Sequence, residues 1–232
     1  MKTVVITGGN KGIGLETTRL FVNSNYKVVV LARDFEEFEF KNNENVQCIN
    51  FNLLNTHEIP KLISRIGAID VLINNAGIML SLPYNNYSSE KINNIIKVNL
   101  EAPIALINAV SESMTTNKSG RIVNNASIAG QIGHPDIWYG ATKAGLINAT
   151  KSYAKIFGPH GVLVNAVAAS PTETEMLSTI PEARKTDFKK SVILNRFARP
   201  EEVAESIFWL GSSSPEYING ICLDINNGSF NR

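Results

Sequence analysis

Short runs of apolar and β-branched residues alternate along the chain with longer stretches of helical period. Val4-Val5-Ile6 opens the series, and Lys27 to Leu31, Val46 to Phe51, Ile69 to Ile73, Arg121 to Asn125, Val162 to Val167 and Ile221 to Ile225 continue it. Several runs are apolar on both alternations, whereas a strand with one wet face alternates apolar and polar. The pattern therefore predicts a parallel sheet covered on both faces. Between the runs it predicts a helix from about Gly12, then helices over Glu58 to Arg65, Glu90 to Ser113, Ile137 to Phe157 and Pro200 to Leu210. Pro200 followed by Glu201 and Glu202 suits a first helical turn, where a missing N–H costs nothing and acids meet the dipole. The βαβ rhythm gives an α/β fold, a doubly wound parallel sheet with right-handed crossovers. Only the stretch from Asp34-Phe35-Glu36-Glu37-Phe38 onward joins the second and third strands, so a short or frayed helix is expected there. No repeat, linker or low-complexity tract divides the chain, and residues 1–232 read as one domain.

Charge and cysteines narrow the class. Lys and Arg total 22 against 21 Asp and Glu, a net charge of +1 with no basic block, which gives no reason to expect nucleic acid or an anionic membrane. No apolar run approaches the ~20 residues of a membrane span. The chain moves from Met1 directly into a strand, leaving no room for a signal peptide. Cys48 and Cys222 lie far apart in strand-like contexts and read as buried thiols of a reducing compartment. His57, His134 and His160 lack metal-ligand spacing. A cytoplasmic protein without a metal is expected.

The candidate chemistry sits where predicted strands end. Thr7-Gly8-Gly9-Asn10-Lys11-Gly12-Ile13-Gly14 follows the first strand and opens a helix. That is the setting of a phosphate-binding turn, with glycines admitting close backbone approach and helix N–H groups aimed at the anion. Asn74-Asn75-Ala76-Gly77 follows the fourth strand, at the carboxyl edge where such sheets bind ligands; its amides either brace strand ends or line an adenosine pocket. Asn99 lies inside a long predicted helix, where Asn is a poor former: it is a locally bonded residue, or it bends the helix and holds a water. Ser127 ends the fifth strand. Twelve residues on, Tyr139 and Lys143 stand four apart on one helix face. An ammonium beside a phenol favours the phenolate and lowers its pKa by roughly 1–3 units.

Taken together, Thr-Gly-x3-Gly-Ile-Gly at 7–14, Asn-Asn-Ala-Gly at 74–77, Asn99, Ser127, Tyr139-x3-Lys143, Asn165 and Arg199-Pro200-Glu201-Glu202-Val203-Ala204 resemble the single-domain short-chain dehydrogenases/reductases over essentially the full length. The resemblance implies a Rossmann-type NAD(P)-binding domain. Tyr139 would be the general acid in carbonyl reduction and the base in alcohol oxidation. Ser127 would bond the substrate oxygen, Lys143 would lower the Tyr139 pKa and hold the nicotinamide ribose, and Asn99 would anchor a relay water. Thr7, Gly8, Asn10, Lys11, Gly12, Ile13, Gly14, Arg33, Asn52, Leu53, Asn75, Ala76, Gly77, Thr172 and Thr174 join Tyr139 and Lys143 as the implied cofactor contacts. The second strand ends at Ala32-Arg33 with no acid to reject a 2′-phosphate, and Lys11 stands beside the middle glycine. This resembles the family's NADP-preferring pattern, with NADPH favoured over NADH; the alternative is that Arg33 merely pairs with Asp34 or Glu36.

Some positions depart from the family. Ala169-Ser170 stands where a Pro-Gly turn is usual, which removes a φ restraint and restricts φ > 0. Asn52 replaces the common Asp, and Asp224-Ile225-Asn226-Asn227-Gly228 replaces a double glycine. The substrate-facing segment is expected from Thr172 to Arg196, mixing Met176, Leu177, Ile180, Phe188 and Ile193 with Arg184, Lys185, Lys189 and Lys190. The likeness is strongest to 3-oxoacyl-carrier-protein reductases, which brings in an acyl-carrier protein as partner. Lys118 fills one basic docking place, while His160 stands where an Arg is common. Reduction of another small ketone, sugar or polyol is the alternative within the class. A catalytically silent NADP-binding sensor is the alternative outside it, although Ser127, Tyr139 and Lys143 are all present. An extended sugar-nucleotide epimerase lacks sequence for its substrate region. The length and apolar richness of the helices Glu90 to Ser113 and Ile137 to Phe157 lead us to expect a homodimer or homotetramer.

Overall fold

The computed structural model describes residues 1–231. Its strands are β1 (Thr3–Thr7), β2 (Lys27–Ala32), β3 (Val46–Asn50), β4 (Val71–Asn74), β5 (Gly120–Asn125), β6 (Val162–Ala169) and β7 (Cys222–Ile225). They form one sheet in the order β3-β2-β1-β4-β5-β6-β7, every pair parallel. The order reverses between β1 and β4, which opens the crevice at the carboxyl edge where open α/β sheets take ligands. The helices are α1 (Gly12–Asn23), α2 (Ile59–Ile66), α3 (Ser89–Ile96), α4 (Ala102–Thr116), α5 (Ile137–Phe157), α6 (Glu175–Ser178), α7 (Glu182–Ser191) and α8 (Pro200–Ser212).

The unbroken apolar strands serve two cores. Val4, Ile6, Val28, Val30 and Ile73 turn to the face where Phe21 of α1 and Val203 and Ile207 of α8 pack. Val5, Val29, Leu31 and Leu72 turn to the other, against Leu106, Ile107 and Val110 of α4. All of these side chains are essentially fully buried.

Two expectations need correction. No helix forms between β2 and β3; residues 34–45 run in turns. The Asp34 carboxylate accepts from the Glu36 N–H at 2.9 Å, a local bond that competes with helix. Phe35, Phe38 and Phe40 cluster beneath, with Phe38 fully buried. The helix expected over Glu90 to Ser113 is two helices, α3 and α4, joined by a π turn over Lys97–Glu101. Pro103 accounts for the break: it has no N–H for the carbonyl of Asn99, and its ring would crowd that group in a regular helix.

The replacement at Ala169-Ser170 is absorbed without strain. β6 runs through Ala169, the Ser170 N–H reaches the Ile225 carbonyl at 3.0 Å, and the chain here has no positive φ. Glycine's freedom is not needed in that conformation.

Polar groups are buried at the strand ends as well. Asn74 donates to Asn124 Oδ1 at 2.8 Å, and Asn124 donates to Thr150 Oγ1 of α5 at 2.9 Å. Asn124→Ala would strand both neighbours in the interior. We expect it to cost about 1–3 kcal/mol of stability, while Asn50→Ala on the exposed edge costs little. Urea unfolding of the two variants measures the difference, and equal midpoints would refute the role of this relay.

Candidate active site

The Gly-rich turn is pinned from the side. Thr7 Oγ1 accepts from the N–H groups of Asn75 and Ala76, both at 3.0 Å, and Asn75 Nδ2 donates to the carbonyls of Thr7 at 3.0 Å and Gly8 at 3.2 Å. A Cβ on Gly14 would fall 2.0 Å from the Gly8 carbonyl, so the turn folds back on α1 only because that atom is missing. No side chain caps the start of α1, and no acid sits in its first turn. Its N–H groups are thus positioned for an anion. The residues present fit the phosphates of a dinucleotide.

Each expected cofactor contact has a definite place. Thr7 is buried, and its hydroxyl faces the end of β4 rather than the cleft. Asn10 donates to the Asp34 carbonyl at 2.9 Å, holding the turn to the end of β2. Lys11 pairs with Glu175 of α6, with both side chains largely exposed. Arg33 is exposed and makes no ion pair among the described residues; the pairing with Asp34 or Glu36 does not form. Asn52 closes its own turn onto the Leu54 N–H at 3.1 Å, and the Leu53 side chain is in the core, leaving its main chain for a ligand. The Thr172 and Thr174 hydroxyls donate to nearby carbonyls, of Ser170 at 2.9 Å and Thr172 at 3.3 Å.

Ser127, Tyr139, Lys143 and Asn99 converge at the carboxyl edge, all buried. Ser127 Oγ accepts from the Ala129 N–H at 3.1 Å and faces the Tyr139 hydroxyl. Gly130 permits this approach, since a Cβ there would lie 2.6 Å from the backbone of Lys143 and Ala144. Lys143 Nζ donates to the Asn125 carbonyl at 2.7 Å and stands 5.7 Å from the Tyr139 ring centre. The Asn99 amide is bonded to the Ile78 backbone through both ends, at 2.8 Å each, and to Thr142 Oγ1 at 3.2 Å.

The expected lowering of the Tyr139 pKa by Lys143 does not hold in this arrangement. Burial pushes the phenol above its usual value, Ser127 pulls it down, and the Asp136 charge pushes it up. Burial likewise draws the Lys143 amine down to about 8. Removal from water disfavours both charged forms.

Asp136 went unrecognised as a site residue. Nearly fully buried, it caps α5: Oδ1 accepts from the Tyr139 N–H at 3.0 Å, and Oδ2 from those of Leu80 and Ser81 at 3.0 and 3.1 Å. Burial pushes its carboxyl up, but the Tyr139 N–H, the Tyr87 hydroxyl and the N–H groups of Ser81 and Leu80 together outweigh this and hold it below its ordinary value. Ser81 has φ +52°, a costly conformation for a serine that these bonds help to hold. The signal was an Asp directly before a helical run. Lys118 and His160 lie instead at the amino edge of the sheet, just ahead of β5 and β6, where Gly161 closes on the Lys118 backbone.

The family model described as short chain dehydrogenase matches residues 2–185. The 3-oxoacyl-[acyl-carrier-protein] reductase FabG of Aquifex aeolicus is 34% identical, over 99% of this chain and 97% of its own. A solved structure described as ElxO with NADP bound superposes with a TM-score of 0.90 at 29% identity, covering 98% of each chain. One described as 4-hydroxyisoleucine dehydrogenase complexed with NADH reaches 0.93 at 28% identity, covering 99% of this chain and 98% of that one.

Asp136→Asn keeps the shape but turns an NH2 group toward N–H donors. We expect it to lower stability by about 1–3 kcal/mol and to reduce turnover while NADPH affinity holds. Thermal unfolding and kinetics on one preparation check this; wild-type values for both would remove Asp136 from the positioning of Tyr139.

Proposed function

The chain belongs to the short-chain dehydrogenase family and is an oxidoreductase acting between C=O and CH–OH groups, and on that premise we propose that it is an NADPH-dependent carbonyl reductase with Tyr139 as proton donor. The observation that supports this most is the buried meeting of the Tyr139 hydroxyl with Ser127 beside Lys143 at the carboxyl edge. When bound, the nicotinamide nucleotide supplies the hydride. The turn at Gly8 to Gly14 and the start of α1 would hold its phosphates, and Lys143 would hold its ribose.

Ser127 donates to the substrate oxygen and stabilises the charge that grows there. Tyr139 gives that oxygen its proton. A phenol raised by burial stays protonated at neutral pH, the form that reduction requires; oxidation requires the phenolate and calls for higher pH. The proton that restores Tyr139 would come, past Lys143, from a water on the Asn99 main-chain carbonyl, the group that Pro103 leaves without a regular helical donor.

Relatives support a 3-oxoacyl thioester as substrate, with an acyl-carrier protein as partner. A second reading, another small ketone, gains from the distance between the Lys118–His160 edge and the cleft. We further propose a homodimer or homotetramer through the outer faces of α4 and α5, where Ile156 is exposed and Tyr153 stacks on Phe157. Cys48 is a free thiol, in keeping with a cytoplasmic home.

Tyr139→Phe is expected to bind NADPH normally and lose nearly all turnover of any accepted carbonyl; undiminished turnover would reject Tyr139 as the donor. Arg33 supports the choice of NADPH. Arg33→Ala should weaken NADPH roughly tenfold, the scale of a charge-assisted bond, and leave NADH unchanged. Equal losses in fluorescence titrations would remove Arg33 from 2′-phosphate recognition.

A further inference from the structure

Arg184, in the first turn of α7, reaches from the segment over the cleft to His134, with Nη2 2.6 Å from His134 Nε2. The imidazole leans on the Tyr139 ring, centroids 5.4 Å apart. A guanidinium only donates, so Nε2 must accept and the ring carries its one proton on Nδ1, which lies 3.1 Å from the Asp136 carbonyl and 3.2 Å from the Asp136 backbone nitrogen. Burial, with the charge of Arg184 adding to it, holds His134 below its usual pKa.

This leaves a half-buried cation bonded to a neutral ring. Among the described residues His134 is the only hydrogen-bond partner of the Arg184 guanidinium, and no carboxylate pairs with it. Other arginines are better matched. Arg196 meets Glu202, Arg19 meets Glu16 and Glu39, and half-buried Arg121 finds two carbonyls and a hydroxyl. The acids of α7 are spent on its lysines, Glu182 on Lys185 and Asp187 on Lys190. The charge of Asp136 reaches Arg184, but its oxygens already accept three backbone N–H groups. A half-buried cation with no carboxylate bonded to it can seat an anion.

We propose that Arg184, oriented by His134, is a carboxylate-binding subsite, and that the carbonyl compound reduced at Tyr139 carries a carboxylate a few bonds from its carbonyl carbon. The contacts through His134 place Arg184 Nη2 within roughly 9 Å of the centre of the Tyr139 ring, a span that a chain of several carbon–carbon bonds and its hydrogen bonds can cover. A planar guanidinium matches a carboxylate in a two-pronged bond. A single unmatched positive charge suits that monoanion better than a phosphate dianion. The proposal rests on the carbonyl-reductase reading and favours its small-ketone form, because a thioester carries no charge at that position.

The test uses 4-oxopentanoate, 5-oxohexanoate and 6-oxoheptanoate with their methyl esters, titrated calorimetrically into the enzyme–NADP⁺ complex. At least one acid should bind wild type roughly tenfold or more tighter than its ester. Arg184→Met, which keeps the apolar stem, should erase that difference while ester binding, NADPH affinity and Tm stay unchanged; Arg184→Lys should restore part of it. Failure of every acid to bind, equal binding of acid and ester, or a preference that survives in Arg184→Met overturns the subsite. NADPH oxidation with the same pairs separates the two readings. Arg184-dependent acid binding without turnover leaves the subsite standing and sinks the reductase reading, whereas turnover indifferent to the charge does the reverse.

Discussion

A chain of buried polar contacts runs through the carboxyl edge of the sheet, and the site hangs from it. Thr7 at the end of β1 accepts from the Asn75 backbone, Asn75 Oδ1 accepts from Asn125 Nδ2 at 3.0 Å, and the Asn125 carbonyl accepts from Lys143 Nζ at 2.7 Å. The Gly-rich turn and Lys143 therefore share a frame of strand ends. Hydrogen bonds of this kind add little net energy when made, yet breaking one leaves an unsolvated group whose cost is larger. That asymmetry fixes the geometry. A slip of β4 against β5 would unpair Asn74, Asn75, Asn124 and Asn125 together.

The same frame sets the protonation of the site. Tyr139 and Lys143 lie so far from water that both are pushed toward their neutral forms. The sequence suggests an ammonium that lowers a phenol; the fold instead supplies a phenol that keeps its proton and an amine within reach of titration. Asp136 strengthens the effect, since its charge disfavours a phenolate even while its carboxylate fixes the Tyr139 backbone. One residue thus serves both placement and proton retention.

What was legible followed from local pattern. The β-branched runs marked every strand, Ile137–Phe157 was read to its ends, and Tyr139 and Lys143 share a face because helical period requires it. The missing helix before β3 and the π turn were less visible because each turns on a competing local bond: Asp34 capping Glu36, and Pro103 withholding an N–H from Asn99. The replaced Pro-Gly turn looked like a loss only while φ at Ser170 was unknown. Partners distant in sequence, such as Leu80 and Ser81 for Asp136 or His134 for Arg184, leave no periodic trace; tertiary packing alone brings them together.

The segment after β6 meets the rest of the cleft through polar contacts. Glu175 holds Lys11, Thr179 Oγ1 stands 3.4 Å from Ser81 Oγ, and Arg184 holds His134. The first joins two exposed side chains and is worth little in water. Lys11 can therefore exchange Glu175 for a phosphate at small cost, which reconciles its pairing with a role toward the cofactor. The contact of Arg184 differs because it is half-buried and its partner is neutral. An anion arriving there displaces no existing ion pair, although water and the Asp136 charge still screen the attraction. The segment's contacts with the cleft are in this way weighted toward charge, exposed at Lys11 and half-buried at Arg184.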